Sequence, residues 1–219
     1  MLLSTAYLPP TAYIKAIVRG GGSVFIEACE SFQKQSWRNR CRIYSGDGTM
    51  DLSIPVCSGP SKELITSVKI DYSQAWIRLH KRALDAAYRH SPFYDYYRDE
   101  LFAILDSTPE CLWDLNMALT GWLLENFGLP NLLKATTVWE PCGEDDFRDG
   151  IHPKRPLPEP WMACGEYYQI FSSRHGFIDS LSCVDLLFHE GRNFMFRVVL
   201  FLFLNGITYF CKSVFKKLK

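Results

Sequence analysis

QKQSWRNRCRI, the run from Gln33 to Ile43, carries four cations and no acid. If Trp37–Ile43 forms a strand, successive side chains alternate between its two faces, so Arg38, Arg40 and Arg42 share one face. Same-face neighbours in a strand stand about 6.6 Å apart. Because three guanidinium groups at that spacing repel one another, the row requires a negative partner.

Two sources of negative charge are compatible with this row. Glu27 and Glu30 belong to the preceding apolar run and would neutralise the row by pairing across neighbouring strands. Alternatively, the row binds the phosphate or carboxylate of a substrate, for which the planar, two-pronged guanidinium group is well suited. The sequence leaves both alternatives open.

The turn that follows the basic run predicts a β-hairpin. SGDG, from Ser45 to Gly48, contains the Asp-Gly pair typical of tight turns, and it would join the basic strand to Met50–Val56. Apolar runs predict further strands elsewhere. These runs are Met1–Leu8, Val24–Cys29, Leu64–Asp71 and Leu132–Trp139.

Three consecutive helices are predicted after these strands. Trp76–Tyr88 has an apolar stripe at helical spacing that includes Leu79 and His80, which is typical of a helix packed on a core. Ser91-Pro92 and Thr108-Pro109 each combine an N-cap residue with a proline, and so mark two further helix starts. The pattern predicts an α/β fold, a single domain in which a mixed sheet is covered by helices.

Length, charge and cysteine spacing indicate the number of domains, the kind of partner and the compartment. A chain of 219 residues lies within the single-domain range. The 24 Lys and Arg residues equal the 24 Asp and Glu residues, so no overall field attracts nucleic acid, and we expect no nucleic-acid partner. The eight cysteines show no metal-binding or disulfide spacing. Together with the absence of a secretory signal at Met1–Ser4, they predict a cytoplasmic protein with free thiols.

Two segments towards the C-terminus are irregular. Residues 140–166 are rich in proline, glycine and charge, and they are too long for an ordinary connection, so we expect a lid-like loop. We assign residues 1–191 to the α/β domain and residues 192–219 to a C-terminal tail. Within the tail, Val198–Cys211 is almost wholly apolar and four lysines follow it. As a helix, its 14 residues would extend about 21 Å, which is shorter than the roughly 30 Å hydrocarbon core of a bilayer. Two alternatives therefore remain open: a helix that is buried or faces a partner, and an anchor at a membrane surface.

The sequence contains no motif that names a reaction. It lacks a phosphate-binding loop, a dinucleotide fingerprint and a cysteine-based metal site, so we expect no cofactor and no metal. For proton transfer, the candidates are His80, His175 and Asp185, the last of which would orient a histidine or cap a helix. The candidate residues for binding a small anionic or sugar substrate are Tyr7, Lys34, Arg38, Asn39, Arg40, His152 and Lys154.

Several motifs, taken in chain order, resemble the WbqC-like family. The most specific is QKQSWRNRC, from Gln33 to Cys41. The resemblance extends over most of Met1–Gly191 and implies a bacterial protein, associated in part with gene clusters for surface polysaccharide (O-antigen). The other motifs are YLPP at Tyr7–Pro10 followed by Tyr13, SPFY at Ser91–Tyr94, QIF at Gln169–Phe171, HGF at His175–Phe177, LS at Leu181–Ser182, DLLF at Asp185–Phe188 and Glu190-Gly191.

Two functions follow from these observations. The first is a transferase of surface-glycan assembly, in which Arg38 and Arg40 hold an anionic substrate such as a nucleotide-sugar and a histidine, His80 first, moves the proton. The second is a non-catalytic binding or scaffold protein that associates with a partner or a membrane surface through its tail. A shared concave pocket for Arg38, Arg40 and His80 would favour the first.

Overall fold

The computed structural model describes residues 1–21, 24–131, 133–139, 141 and 143–194. The predicted apolar helix of the tail, Val198–Cys211, lies outside the described residues.

Three short strands form a parallel sheet near the start of the domain. They are β1 (Leu2–Leu3), β2 (Phe25–Ile26) and β5 (Lys134–Ala135), in the order β1-β2-β5. A parallel bridge between Leu2 and Asp146 places a fourth segment beside β1. Because all four segments run in the same direction, their carboxyl ends meet at one edge of the sheet.

The predicted hairpin is confirmed. Strands β3 (Arg40–Ser45) and β4 (Gly48–Ser53) are antiparallel, with Ser45 opposite Gly48. They form a sheet of their own, whereas the sequence predicted one mixed sheet. The chain before the hairpin makes the link to the first sheet through a hydrogen bond from the Tyr7 N–H to the Trp37 carbonyl oxygen (2.8 Å).

The three consecutive helices are also confirmed, and the fold is α/β as predicted. The helices are α1 (Thr11–Gly20), α2 (Trp76–Tyr88), α3 (Tyr94–Asp106), α4 (Leu112–Asn126), α5 (Ser172–His175) and α6 (Cys183–Glu190). Helix α3 packs against both α2 and α4, and α6 packs against α1, α3 and α4.

Several local predictions differ from the structure. Helices α3 and α4 have Phe93 and Cys111 at their N-caps, in place of the predicted Ser91 and Thr108. Leu79 is 58% exposed, because the buried face of α2 is the narrow one that contains Trp76, His80 and Leu84. The predicted strand Leu64–Asp71 is instead a short 3-10 helix, Ile65–Ser67, followed by isolated bridges.

The predicted lid-like loop is attached to the domain at several points in its described part. Phe147, Arg148, Ile151 and Met162 are buried, and a 3-10 helix at Pro160–Met162 packs on α1. No helix among the described residues has the length and apolar character needed to cross a membrane. The six cysteines in the described ranges are free thiols.

Candidate functional site

Charged and hydroxyl side chains meet at the carboxyl edge of the parallel sheet. In open α/β sheets this edge is where ligands bind. Each of the four parallel segments is followed by a residue that contributes to the cluster, and Arg38 reaches it from the chain that precedes β3. The members of this carboxyl-edge cluster are Ser4, Glu27, Glu30, Arg38, Thr136, Asp146 and Arg148.

Arg38 forms a buried ion pair with Glu30. Its Nε donates to Glu30 Oε1 (2.9 Å), and its Nη2 donates to Glu30 Oε2 and to Ser4 Oγ (2.7 Å). Arg38 is 2% exposed. Burial raises the pKa of Glu30, whereas the hydrogen bonds from Arg38 and Ser4 act in the opposite direction. Removing one partner of such a buried pair typically costs about 3–5 kcal/mol, because it leaves the other charge uncompensated.

The predicted row of three arginines does not converge on a shared anion. Arg38 precedes β3 and points into the domain, while Arg40 and Arg42 pair with Asp51 on the neighbouring strand (3.5 and 2.7 Å). The protein therefore supplies the counter-charges itself. The prediction that the protein's own glutamates neutralise the row was correct for Glu30, which pairs with Arg38. Asp51, and not Glu27, neutralises Arg40 and Arg42.

Arg148 forms the second half of the cluster. Its Nη1 donates to Glu27 Oε2 (2.8 Å), while Nε and Nη2 donate to the two oxygens of Asp146 (3.0 and 2.7 Å). Glu27 also accepts a hydrogen bond from Thr136 Oγ1 (2.6 Å). The guanidinium group lies over the Trp139 ring, 4.2 Å from its centroid. The cluster thus joins the end of every parallel segment.

A basic rim adjoins the cluster, where the QKQSW run meets residues 149–155. Gln33 Nε2 donates to Asp149 Oδ1 (3.2 Å), and Lys154 Nζ donates to Gln35 Oε1. Gln35 has φ of 59°, a left-handed conformation that is uncommon outside glycine. We define the basic rim as Lys34, His152, Lys154 and Arg155.

The rim creates a positive local field. The pKa of His152 is lowered, first by burial and then by the charges of Arg155, Arg38 and Lys154, with Asp149 acting in the opposite direction. His152 is therefore neutral at pH 7. Because Arg38 is among these charges, the rim and the carboxyl-edge cluster belong to one electrostatic environment.

A small pocket of about 10 Å³ lies within the cluster, between Thr5, Arg38 and Arg148. That volume corresponds to about one water molecule. Thr5 Oγ1 is buried and has no hydrogen-bond partner in the described part of the chain. The space between the side chains of the carboxyl-edge cluster is thus too small for a substrate, which would instead contact the basic rim.

Three of the predicted residues pack around the hairpin and α2. Tyr7 OH lies 2.9 Å from Nδ1 of His80, whose ring also packs on Trp76. Burial lowers the pKa of His80 to about 4, so this histidine is neutral at pH 7. Asn39 Nδ2 donates to the Ile54 carbonyl oxygen (2.9 Å) and so closes the open end of the hairpin. None of the contacts described for these residues brings them to the Arg38 side chain.

His175 and Asp185 lie in different surroundings. His175 is exposed, with Nε2 2.9 Å from the Gly46 carbonyl oxygen. Asp185 is fully buried, and its Oδ2 accepts hydrogen bonds from Tyr167 and Gln169. Burial raises the pKa of this carboxyl group.

Asp185 lies beside a histidine that the sequence analysis did not select. On α6, His189 Nδ1 is 2.7 Å from the Asp185 carbonyl oxygen and 3.8 Å from its Oδ2. His189 Nε2 is 3.1 Å from Ser91 Oγ and also accepts the Ile170 N–H (3.2 Å). Because its ring nitrogens already have these partners, we interpret the set as a structural network. The i, i+4 spacing of Asp185 and His189 was the signal available in the sequence.

Ser4 and Thr136 of the carboxyl-edge cluster were not indicated by any sequence pattern. Each directly follows a parallel strand, a position that becomes informative only once the strand order is known. Within the described ranges, no group of three or more His, Cys, Asp and Glu residues is arranged to hold a metal ion.

Comparison with known proteins gives one finding. The model of the family described as WbqC-like protein family matches residues 5–147. The matched range includes Arg38, Glu30 and Glu27, and it ends one residue before Arg148. No curated protein and no solved structure matches the chain.

Proposed function

The chain belongs to the WbqC-like protein family, and from that premise we propose that it is a transferase of bacterial surface-polysaccharide (O-antigen) assembly that binds an anionic substrate, such as a nucleotide-sugar, at the basic rim. The proposed location is the cytoplasm, where nucleotide-sugars would be supplied.

The observation that supports this proposal is the contact between the rim and the carboxyl-edge cluster, because Gln33 bonds both to Arg38 of the cluster and to Asp149 beside the rim. Lys34 is exposed and can move to meet a phosphate, as can Lys154 once it leaves Gln35. Arg38 Nη1 has one weak contact, with Gln33 Oε1 at 3.5 Å, so it retains donor capacity on the rim side. The rim therefore offers several donors to one anionic group.

His152 is the proton acceptor in this proposal, and its accepting nitrogen becomes available when Nδ1 releases the Lys154 N–H (3.2 Å). Its lowered pKa keeps it neutral at pH 7, and it lies among the cations that would hold the substrate. His80, the first choice from the sequence, is enclosed by Tyr7 and Trp76 in the core. His152 thus replaces His80 in the catalytic role.

Titration calorimetry with a panel of nucleotide-sugars tests the rim. Lys34→Gln plus Lys154→Gln should weaken binding by about tenfold or more, since each lysine loses a charge-assisted hydrogen bond to phosphate. Arg78→Gln plus Arg82→Gln removes the same charge from another surface and should leave the affinity unchanged. Equal affinities in the wild type and the rim variant would refute binding at the rim.

The alternative, a scaffold protein that associates through its tail, remains a proposal carried by the tail sequence alone.

A further inference from the structure

An open groove lies beside the N-terminal half of α2 and shares no residue with the carboxyl-edge cluster or the basic rim. Its volume is about 730 Å³, within the range of small-molecule sites. One wall is α2 itself, from Ile77 to Arg82. The other walls are Tyr72–Ala75, just before the helix, and Asp106 and Thr108, at the end of α3.

The groove carries positive charge that the described part of the protein does not neutralise. Three cations of α2 line it, and one of them, Lys81, pairs with Asp106. Arg78 and Arg82 are both exposed, and neither makes a hydrogen bond or ion pair with any residue that the structure describes. Residues four apart on a helix are neighbours, and like charges at this spacing destabilise it. An anion between the two guanidinium groups would remove that repulsion.

Part of the groove lining is apolar and fixed in place. Tyr72 is 37% exposed, and its hydroxyl group donates to the Pro109 carbonyl oxygen (2.7 Å), which holds the ring at the edge of the groove. Behind it the ring lies against Trp76, with 5.9 Å between centroids. Ala75 and Ile77 continue this surface. A purely ionic ligand would leave it exposed to water.

We propose that this groove binds an amphipathic phosphomonoester, with the phosphate between Arg78 and Arg82 and the apolar chain along Tyr72, Ala75 and Ile77. A phosphomonoester carries nearly two negative charges at pH 7, which matches the two uncompensated arginines. Each guanidinium group can donate two parallel hydrogen bonds to phosphate oxygens. The site is separate from the one proposed for the anionic substrate, and its existence does not depend on that proposal.

Decyl phosphate, used below its critical micelle concentration, is the probe for this site. Inorganic phosphate tests the head group alone, and decyl maltoside tests the apolar chain alone. Calorimetry on the full chain should show decyl phosphate binding at least tenfold more tightly than either of the other two. Arg78→Gln plus Arg82→Gln should reduce the decyl phosphate affinity to that of decyl maltoside, whereas Lys34→Gln plus Lys154→Gln should leave it unchanged.

A second variant blocks the groove without removing an arginine. Ala75 is exposed and immediately precedes α2, where an added carboxylate is favourable to the helix, so Ala75→Glu should fold normally. It should nevertheless lose decyl phosphate binding by tenfold or more. The proposal is overturned if inorganic phosphate or decyl maltoside binds as tightly as decyl phosphate. It is also overturned if either groove variant binds decyl phosphate like the wild type.

Discussion

His80 shows how burial sets the chemistry of a single side chain. The residue lies on the buried face of α2, as the helical pattern predicted, with Tyr7 2.9 Å from its Nδ1. A charged imidazole in this position would lose its hydration, and burial accordingly lowers the pKa from 6.5 to about 4. The same residue type, which on the surface would be a candidate acid or base, is here a neutral core residue.

The pKa of His80 predicts how stability depends on pH. In the unfolded chain His80 takes up a proton below about pH 6.5, whereas in the folded protein it does so only near pH 4. The contribution of His80 to the free energy of unfolding is therefore fully present above pH 6.5 and is lost as the pH falls towards 4. The total loss is on the order of 3 kcal/mol. Urea unfolding at several pH values between 7 and 4 should show a shallower decline in His80→Gln than in the wild type.

The comparison with His80→Gln cancels the other titrating groups. Asp185, whose raised pKa makes the fold less stable as this carboxyl group ionises, is present in both proteins. If the free energies of unfolding of the two proteins run parallel with pH, the assignment of a lowered pKa to His80 is wrong.

Helix α6 shows how one element ties distant parts of the chain together. Ser182 begins it, with Oγ accepting a hydrogen bond from the Val184 N–H and donating to the Leu8 carbonyl oxygen (2.7 Å). The Ser182 N–H donates to the Arg42 carbonyl oxygen (2.8 Å), and the Cys183 N–H donates to that of Pro9 (2.8 Å). The start of α6 therefore fixes both the turn before α1 and the hairpin.

Substitution of Ser182 tests this junction. Ser182→Ala removes the N-cap and leaves a buried carbonyl oxygen without its donor, so we expect a loss of about 2 kcal/mol in the free energy of unfolding. Ser107→Ala, which removes an exposed hydroxyl group near the end of α3, should change it by less than about 0.5 kcal/mol. Chemical unfolding followed by tryptophan fluorescence measures both. Similar values for the two variants would contradict the role given to Ser182.

In the part of the chain that the structure describes, the hydrophobic core extends beyond the range matched by the family model. The match ends at residue 147, but Arg148 neutralises Glu27, which is fully buried. Phe188 of α6 packs edge-to-face on Tyr88 and Tyr94, 5.2 and 5.0 Å between ring centroids. The segment after residue 147 thus contributes both a charge and apolar surface that the preceding part of the chain requires.

A truncated chain tests this dependence. A protein of residues 1–147 would leave Glu27 without Arg148 and would expose the surface that α6 covers. An uncompensated buried carboxylate and the loss of a helix each reduce the free energy of unfolding by several kcal/mol. Together these losses approach the total stability of a typical domain, so we expect no cooperative unfolding transition. Near-ultraviolet circular dichroism during thermal unfolding, with the full chain as control, measures this. A sigmoidal transition like that of the full chain would show that residues 1–147 fold on their own.

The sequence by itself determined the hairpin, the three consecutive helices and the family. The hairpin at Ser45–Gly48 and the buried stripe of α2 depend on residues within a few positions of one another, so turn chemistry and periodicity were sufficient. The same run of residues that starts the hairpin, QKQSWRNRC, also carried the resemblance to the WbqC-like family.

Only the tertiary structure decided which charges meet. The two-residue period correctly placed Arg40 and Arg42 on one face of β3, but it could not show that Asp51 lies opposite them or that Arg38 turns inward to Glu30. Arg148 and Glu27 are 121 positions apart and meet because two segments of the parallel sheet end at the same edge. A local pattern fixes the direction of a side chain relative to its own strand or helix. The identity of its partner depends on how distant segments pack, and this packing decides whether an arginine is neutralised by the protein or left for a ligand.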